Sequence, residues 1–295
     1  NNRVDNGIRI SNTTSPNITF GTATINNPNA DTQPAVSLFN VSSTVDFDEL
    51  NANQGGFGIG ETYTVNVPND NGGLGDVIYA NNITGLTLNG GTLLNTGDDG
   101  IDFRDSGALI LNNVMIRQIN NSDNSNGIQA YNSTSVTMTG GSINDFAGTG
   151  IPASNQPWGA RIYHDNSYTT ASSTNTFNGV TFNGGTGTNG GGILLVNVDN
   201  ADVSLDVVNG TTFDNVSDLA IFSALNANGS VSTTVTNSVF RNPLANGYAG
   251  INIAGGTSAT GAVAFNINNN IFDDIGDDNG AVIRVSLANS SNART

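Results

Sequence analysis

Acidic side chains that can do chemistry concentrate in a few short segments, foremost TGDDGIDFRD (96–105). A pair of carboxylates on one outward face can serve as general acid and general base on a glycosidic bond. Calcium is the other partner of such clusters, since it takes about six to eight oxygen ligands and paired aspartates on a bend supply several. The competing interpretation is that these aspartates are solvated bend residues that keep an acidic chain soluble.

A second acidic cluster lies near the end of the chain and is the candidate calcium site that the sequence suggests. None of the acidic clusters follows the spacing of an EF-hand loop. The interpretation as solvated bend residues therefore stays open here too, and no other cofactor is expected. The candidate ligands are Asp273, Asp274, Asp277 and Asp278.

Aromatic and polar residues near the middle of the chain suggest a binding surface. Strand alternation predicts that residues one and three positions after an inward-facing Ile point outward. Aromatic rings and polar groups side by side suit sugar rings, which stack through C–H faces and bond through hydroxyls. The alternative is that these residues decorate a solvent-facing strand, with the lone His in an exposed loop. The candidate residues are Arg104, Gln129, Tyr131, Trp158, Arg161, Tyr163, His164 and Tyr168.

Composition excludes several classes of protein. The 295 residues contain no Cys, and the 8 basic residues are all Arg against 24 acidic ones, for a formal net charge of −16. Such a surface argues against nucleic-acid binding, and the lack of Cys excludes disulfides and thiolate zinc sites. No apolar stretch approaches the ~18 residues of a membrane span, so we expect no membrane insertion. Asn, Thr, Ser and Gly dominate, which favours strands and turns over helices.

The elements that must position these side chains belong to a repeat. A strand-like phrase recurs as DNGIRISN (5–12), DDGIDFRD (98–105), SNGIQAYN (125–132) and GGILLVNV (191–198). From Gly100 onward the copies are spaced 27 to 33 residues apart. Self-similarity at that period is typical of solenoids.

A second phrase follows each copy and aligns in three columns. The first column holds Asn or Thr and predicts a ladder of side chains, the second holds Gly or Asn and predicts a left-handed bend, and the third is large and apolar and predicts an internal stack. In order, the columns are Asn89, Asn112, Thr139, Asn178, Asn209, Thr236 and Asn268; then Gly90, Asn113, Gly140, Gly179, Gly210, Asn237 and Asn269; then Leu93, Ile116, Ile143, Phe182, Phe213, Phe240 and Phe272.

Short strands, tight bends and like residues stacked about 4.8 Å apart predict an all-β parallel β-helix of about ten coils. We expect one domain over residues 1–295, with long excursions at 47–73 and 147–173. Because the first and last phrases both belong to the repeat, the chain is expected to be part of a longer rod or a subunit that stacks on other copies.

The G-I-x-apolar strands at Gly100, Gly127, Gly192 and Gly250, with the Asn/Gly bends that follow, resemble the right-handed parallel β-helix, or pectin-lyase-like, superfamily. The handedness comes from this resemblance. Within the superfamily the chain looks most like passenger segments of bacterial autotransporters and large repetitive surface adhesins. That likeness implies an extracellular, cell-surface protein without enzymatic activity, which binds glycans or other copies of itself.

The alternative function also comes from a resemblance. TGDDGIDF (96–103) resembles the Gly-Asp-Asp motif of polygalacturonases, which implies a catalytic role for Asp98 and Asp99. Lyases of this fold generally use Arg or Lys as a base near bound calcium, and this resemblance would give that role to Arg104 or Arg161, beside Asp102. The Gly-His-Gly and Arg-x-Lys motifs of polygalacturonases are absent, and the chain has no Lys. A polysaccharide lyase or glycoside hydrolase is therefore the second hypothesis.

Overall fold

The computed structural model describes most of the repeat region. The described residues are 7–27, 34–54, 76–94, 98–117, 125–148, 156–165, 172–187, 189–242, 250–257, 259–273 and 282–287.

Strands and bends make up this part of the chain, and none of it forms a helix, so no membrane-crossing helix occurs among the described residues. The strands are β1 (Ile8–Thr13), β2 (Ile18–Asn27), β3 (Val36–Gln54), β4 (Ile78–Leu88), β5 (Gly91–Leu94), β6 (Ile101–Arg104), β7 (Ala108–Asn112), β8 (Val114–Arg117), β9 (Ile128–Tyr131), β10 (Ser135–Thr139), β11 (Ser142–Asn144), β12 (Trp158–His164), β13 (Ser172–Asn178), β14 (Thr181–Asn183), β15 (Gly191–Asn197), β16 (Asp202–Val208), β17 (Thr212–Asp214), β18 (Ile221–Leu225), β19 (Ser230–Thr236), β20 (Val239–Arg241), β21 (Ile251–Gly255), β22 (Val263–Asn268), β23 (Ile271–Asp273) and β24 (Ile283–Leu287).

From β5 onward, each strand pairs in parallel with the strand three positions later in the chain, which occupies the same place in the next coil. The first stack of strands runs through β4, β6, β9, β12, β15, β18, β21 and β24. The second stack includes β7, β10, β13, β16, β19 and β22, and the third β5, β8, β11, β14, β17, β20 and β23. This arrangement confirms the all-β parallel β-helix. Seven consecutive coils run from β4 to β23 and strands β1 to β3 precede them, so the estimate of about ten coils differs only slightly.

The predicted internal stack is confirmed along its whole length. Its seven residues occupy matching positions on β5, β8, β11, β14, β17, β20 and β23. The rings of Phe182, Phe213 and Phe240 lie parallel, with centroids 5.0 Å apart at each step, and Phe272 follows at 4.7 Å. Stacked aromatic rings add to the free energy of burial, so this stack stabilises the C-terminal coils.

The same stack explains the glycine of the G-I phrase. A β-carbon on Gly159 would lie 2.6 Å from Cδ1 of Phe182, and one on Gly192 would lie 2.6 Å from Cδ1 of Phe213. The ring of each coil fills the space that a side chain at this position would need. The glycine therefore serves close packing across the interior of the coil.

The predicted bends and ladder are confirmed in part. Asn113, Asn237 and Asn269 have φ of 56°, 53° and 54°, as a left-handed bend requires. The amide of Asn112 donates to Asn89 Oδ1 at 2.9 Å, which is one rung of the expected ladder.

One coil departs from the predicted alignment. Val208, rather than Asn209, pairs with Asn178, and both Asn209 and Gly210 have positive φ. The bend of this coil therefore contains one extra residue. The sequence alignment placed Asn209 in the first column, where the structure has Val208.

The structure also changes the two predicted excursions. Residues 47–54 of the first belong to β3, and residues 55–73 lie outside the described residues. The second contains β12, as its repeat phrase predicts, and Gly148 forms an isolated antiparallel bridge with Asn189. Residues 149–155 and 166–171 lie outside the described part.

The Phe stack generates a stability prediction. We expect Phe213→Ala to lower the free energy of unfolding by about 3–5 kcal/mol, because it removes a ring that contacts two others and leaves a cavity. Urea denaturation followed by circular dichroism measures the change. Phe265→Ala is the matched control, since that ring on β22 is 42% exposed and should change stability by less than about 0.5 kcal/mol. Equal losses for the two variants would contradict the internal stack.

Candidate functional site

A ladder of side chains marks the start of the first stack of strands. Asp76, Asp99, Asn126 and Trp158 occupy the same register position on successive coils, two residues before the residues that pair in β4, β6, β9 and β12. The Asp99 N–H donates to Asp76 Oδ1 at 3.0 Å, the Asn126 N–H to Asp99 Oδ1 at 2.5 Å, and the Trp158 N–H to Asn126 Oδ1 at 3.1 Å. Each side chain thus holds the backbone of the next coil.

Trp158 ends this ladder and is buried. Its side chain is only 6% exposed, and a β-carbon on Gly191 of the next coil would overlap its indole ring. The expectation that Trp158 decorates an exposed excursion is therefore wrong. The indole occupies space that only a glycine at position 191 leaves free, which the sequence pattern does not reveal.

Three carboxylates lie close together in the first two coils of this ladder, and two of them belong to the ladder itself. Asp76 and Asp99 are 1% and 4% exposed, while Asp98 keeps part of its surface exposed and accepts a hydrogen bond from Ser125. Burial raises the pKa of Asp98 to about 6. Burial and then the negative charges of neighbouring aspartates raise the pKa values of Asp76 and Asp99 as well. Strongly shifted groups of this kind cluster at functional sites, so this region is the leading candidate.

Asp102 completes the cluster and forms a buried ion pair. It is 1% exposed, so the expectation that it points to solvent is wrong. Arg104 Nε donates to its two oxygens at 2.6 and 2.9 Å. Burial and the charges of Asp99 and Asp98 raise the pKa of Asp102, and a hydrogen bond from the Gln129 side chain opposes that rise. Burial lowers the pKa of Arg104 to about 10, which still leaves it charged at neutral pH.

Gln129 and Arg161 continue the register of Asp102 on β9 and β12. Both are partly exposed, as predicted for residues that face outward. The side chain of Gln129 accepts a hydrogen bond from Asn126 Nδ2 at 3.3 Å. Arg161 forms no ion pair with any residue in the described ranges.

Tyr131 and Tyr163 stack on each other, with ring centroids 5.2 Å apart and planes inclined by 12°. Arg104 and Val196 occupy the flanking register positions. The Tyr131 hydroxyl donates to Asp165 Oδ2, a partner that the sequence does not reveal. Since each ring covers one face of the other, the pair offers its edges and hydroxyls rather than open faces for stacking.

His164 does not belong to this exposed surface. It is 1% exposed at the end of β12, and its Nδ1 has no hydrogen-bond partner among the described residues. Burial lowers its pKa, which favours the neutral imidazole at neutral pH. The interpretation as an exposed loop histidine is wrong, because the side chain is buried.

One candidate binding residue and most of the candidate calcium cluster remain untested. Tyr168 lies outside the described residues, as do Asp274, Asp277 and Asp278. Asp273 is the end of β23, where it pairs in register with Arg241. Within the described ranges no three His, Asp or Glu side chains are placed to hold a metal ion, and the calcium site stays a prediction.

Several residues of this region were missed by reasoning on the sequence. Tyr79 lies in register with Asp102, and burial, with the charges of Asp102 and Asp76, raises its pKa to about 12. Asp76 and Asn126 complete the ladder. The signal for all three was the repeat itself, because aligning GDVIYA (75–80) with DGIDF (99–103) places Asp76 level with Asp99 and Tyr79 level with Asp102.

Comparison with known proteins adds no family to this description. No family model matches the chain, no curated protein is similar to it, and no solved structure matches its fold. The parallel β-helix therefore stands on the strand pairing, and the likeness to pectin-lyase-like proteins and to surface adhesins stays a resemblance.

The buried ion pair generates a prediction that a double-mutant cycle tests. We expect Arg104→Gln to lower the free energy of unfolding at pH 7 by about 3–5 kcal/mol, because it leaves Asp102 buried without a cation. The double variant with Asp102→Asn should recover most of that loss. Arg241→Gln is the control, since its pair with Asp214 is more exposed and should contribute about 1 kcal/mol or less. Additive losses in the cycle would show that the two side chains do not interact.

Proposed function

We propose that this chain is a rigid segment of an extracellular bacterial surface protein that binds polysaccharide. The binding surface is the β6–β9–β12 face, defined as the partly exposed residues Arg104, Gln129, Tyr131, Arg161 and Tyr163. The observation that carries the proposal is the register of these five polar and aromatic residues on three successive strands.

Hydrogen bonding is the main chemistry that this face offers a sugar. Gln129 can donate and accept, Arg161 presents donors without an ion-pair partner among the described residues, and Tyr163 adds a partly exposed ring and hydroxyl. Hydroxyl-rich sugars match such a mixture of donors and acceptors. The proposal of stacking on open tyrosine faces is weaker than expected, because Tyr131 and Tyr163 cover each other.

The parallel stack of strands supports binding by holding this face rigid. Gln129 and Arg161 lie on adjacent strands about 4.8 Å apart, and the parallel pairing of β9 with β12 fixes their backbones. A preorganised surface loses little conformational entropy when it binds. A regular row of side chains also suits a polymer whose own units repeat.

The proposal predicts that the combined variant Arg161→Ala and Tyr163→Ala binds glycans at least about tenfold more weakly, because it removes donors and a ring from the centre of the face. A glycan array identifies the ligand, and isothermal titration calorimetry measures its dissociation constant. Arg284→Ala is a matched control, since Arg284 occupies the equivalent register position on β24, far from the face. Unchanged binding by the double variant, or an equal loss in the control, would refute the site. Trp158→Ala is unsuitable, because that side chain is buried.

A second candidate function, the cleavage of polysaccharide, is favoured by one observation. Asp98 is partly exposed and has a pKa raised to about 6, so a useful fraction is protonated near neutral pH, as a general acid requires. Asp99 lies beside it but is 4% exposed and already accepts two hydrogen bonds from Asn126. Of the candidate acids, Asp98 is therefore the one best placed to contact a substrate.

This candidate function predicts a product that binding alone does not make. Acidic polysaccharides incubated with the protein should yield new reducing ends or unsaturated products. The assay is run both in the presence and in the absence of calcium. Asp98→Asn should abolish them, and activity should fall as the pH rises through about 6, because the acid form is lost. Asp48→Asn, an exposed aspartate on β3, should leave turnover unchanged. Turnover that survives Asp98→Asn would rule out this acid, and no products from any substrate would leave binding as the function.

Contact between copies, expected from the sequence, stays a prediction. The last described coils expose several apolar side chains that a further coil or a second copy could cover. These are Phe265, Ile271, Ile283 and Val285, each between 41% and 59% exposed.

A further inference from the structure

The ladder at the start of the first stack contains one neutral side chain, Asn126, in the same role as the two carboxylates of Asp76 and Asp99. Asn126 accepts a hydrogen bond from the Trp158 N–H, as Asp99 does from the Asn126 N–H and Asp76 from the Asp99 N–H. The role in the ladder is to accept a backbone hydrogen bond. A neutral amide performs that role at position 126, so it does not require a carboxylate at positions 76 and 99.

Negative charge at these two positions has little to neutralise it. Asp99 interacts with Asp76 of the preceding coil and with Asp98 and Asp102 of its own coil, and it accepts hydrogen bonds from Asn126 of the following coil. The charges of Asp76 and Asp102 also act on Tyr79. The nearest described cation is Arg104, which is bound to Asp102, and Arg161 lies two coils away. Buried like charges destabilise a fold unless one of them binds a proton.

Asp76 gives a second and independent sign of a missing proton. Its Oδ1 accepts the Asp99 N–H, but its buried Oδ2 has no hydrogen-bond partner among the described residues. A buried carboxylate oxygen without a donor is unfavourable, whereas a protonated one is neutral and becomes a donor itself. The negative charges of Asp102 and Asp98 act on Asp76 and favour its protonated form.

We propose that Asp76 and Asp99 form a proton-operated clasp between successive coils, which holds the coils together when the cluster carries a proton and loosens when all its carboxylates are charged. The loosened elements are the segments that lead into β6 and β9, where the backbone N–H groups of Asp99 and Asn126 donate to the clasp. The clasp is a property of the rod itself and does not depend on the binding of polysaccharide.

The direction of the pH effect follows from linkage. The folded-state pKa values of Asp76 and Asp99 are raised above those of an unfolded chain, so the folded state binds protons more tightly. Their contribution to stability is then greatest at low pH and is lost as the pH rises from the unfolded value through the folded one. Most paired carboxylates behave in the opposite way, since their pKa values are lowered on folding.

Hydrogen exchange measures the clasp directly. After correction for the intrinsic effect of pH, the amides of Asp99 and Asn126 should exchange at least about tenfold faster at pH 7.5 than at pH 5, because each unit of pKa difference between closed and open forms is worth about tenfold. In Asp99→Asn this acceleration should shrink to less than about threefold. Asp48→Asn, an exposed change on β3, should retain the wild-type behaviour.

Each other outcome counts against the clasp. Corrected exchange that does not depend on pH in the wild-type protein overturns it, as does an undiminished pH dependence in Asp99→Asn. An Asp99→Asn protein that does not fold would also overturn it, because the proposal holds that an amide can replace this carboxylate in the ladder. The thermal midpoint of Asp76→Asn gives a separate check, since it should exceed that of the wild type at pH 7.5 and match it at pH 5.

Discussion

In-register pairing between parallel strands of successive coils is the constraint on which the rest of this structure depends. It places each side chain directly above its counterpart, so one choice of residue type is repeated as a column through the molecule. Where the column is apolar, as from Phe182 to Phe272, the repetition fills the core with stacked rings. Because the chain has no Cys, no disulfide adds to the strand pairing and side-chain stacking that hold its coils together.

The same in-register pairing makes buried charge unfavourable for folding, because it stacks like residues above one another. A column of carboxylates brings like charges to within a few ångströms, which Asp76 and Asp99 illustrate at the start of the first stack. One cation, Arg104, is used to neutralise one carboxylate, Asp102. With 8 basic residues against 24 acidic ones, the chain has few means of neutralising the others, so protons are the natural substitute.

Most of the fold could be predicted from the sequence, but less of the site. The periodic columns predicted the strands and the Phe stack because a solenoid repeats the same local rule in each coil. Trp158 and His164 were misplaced, since their burial depends on neighbours in other coils, such as the glycine at position 191 under the indole. Asp76 was visible in the alignment of the repeat, yet its role appeared only once the register placed it beside Asp99.

Asn126 sharpens the choice between a structural and a functional interpretation of the acidic cluster. If Asp76 and Asp99 served only to hold the next coil, asparagine would do so without the electrostatic penalty, as it does one coil further on. Stability alone therefore does not explain a carboxylate at these positions, and departures of this kind concentrate at functional sites. Asp98 is the member of the group that retains access to solvent, so it is where a proton can enter the cluster and where a ligand would meet it.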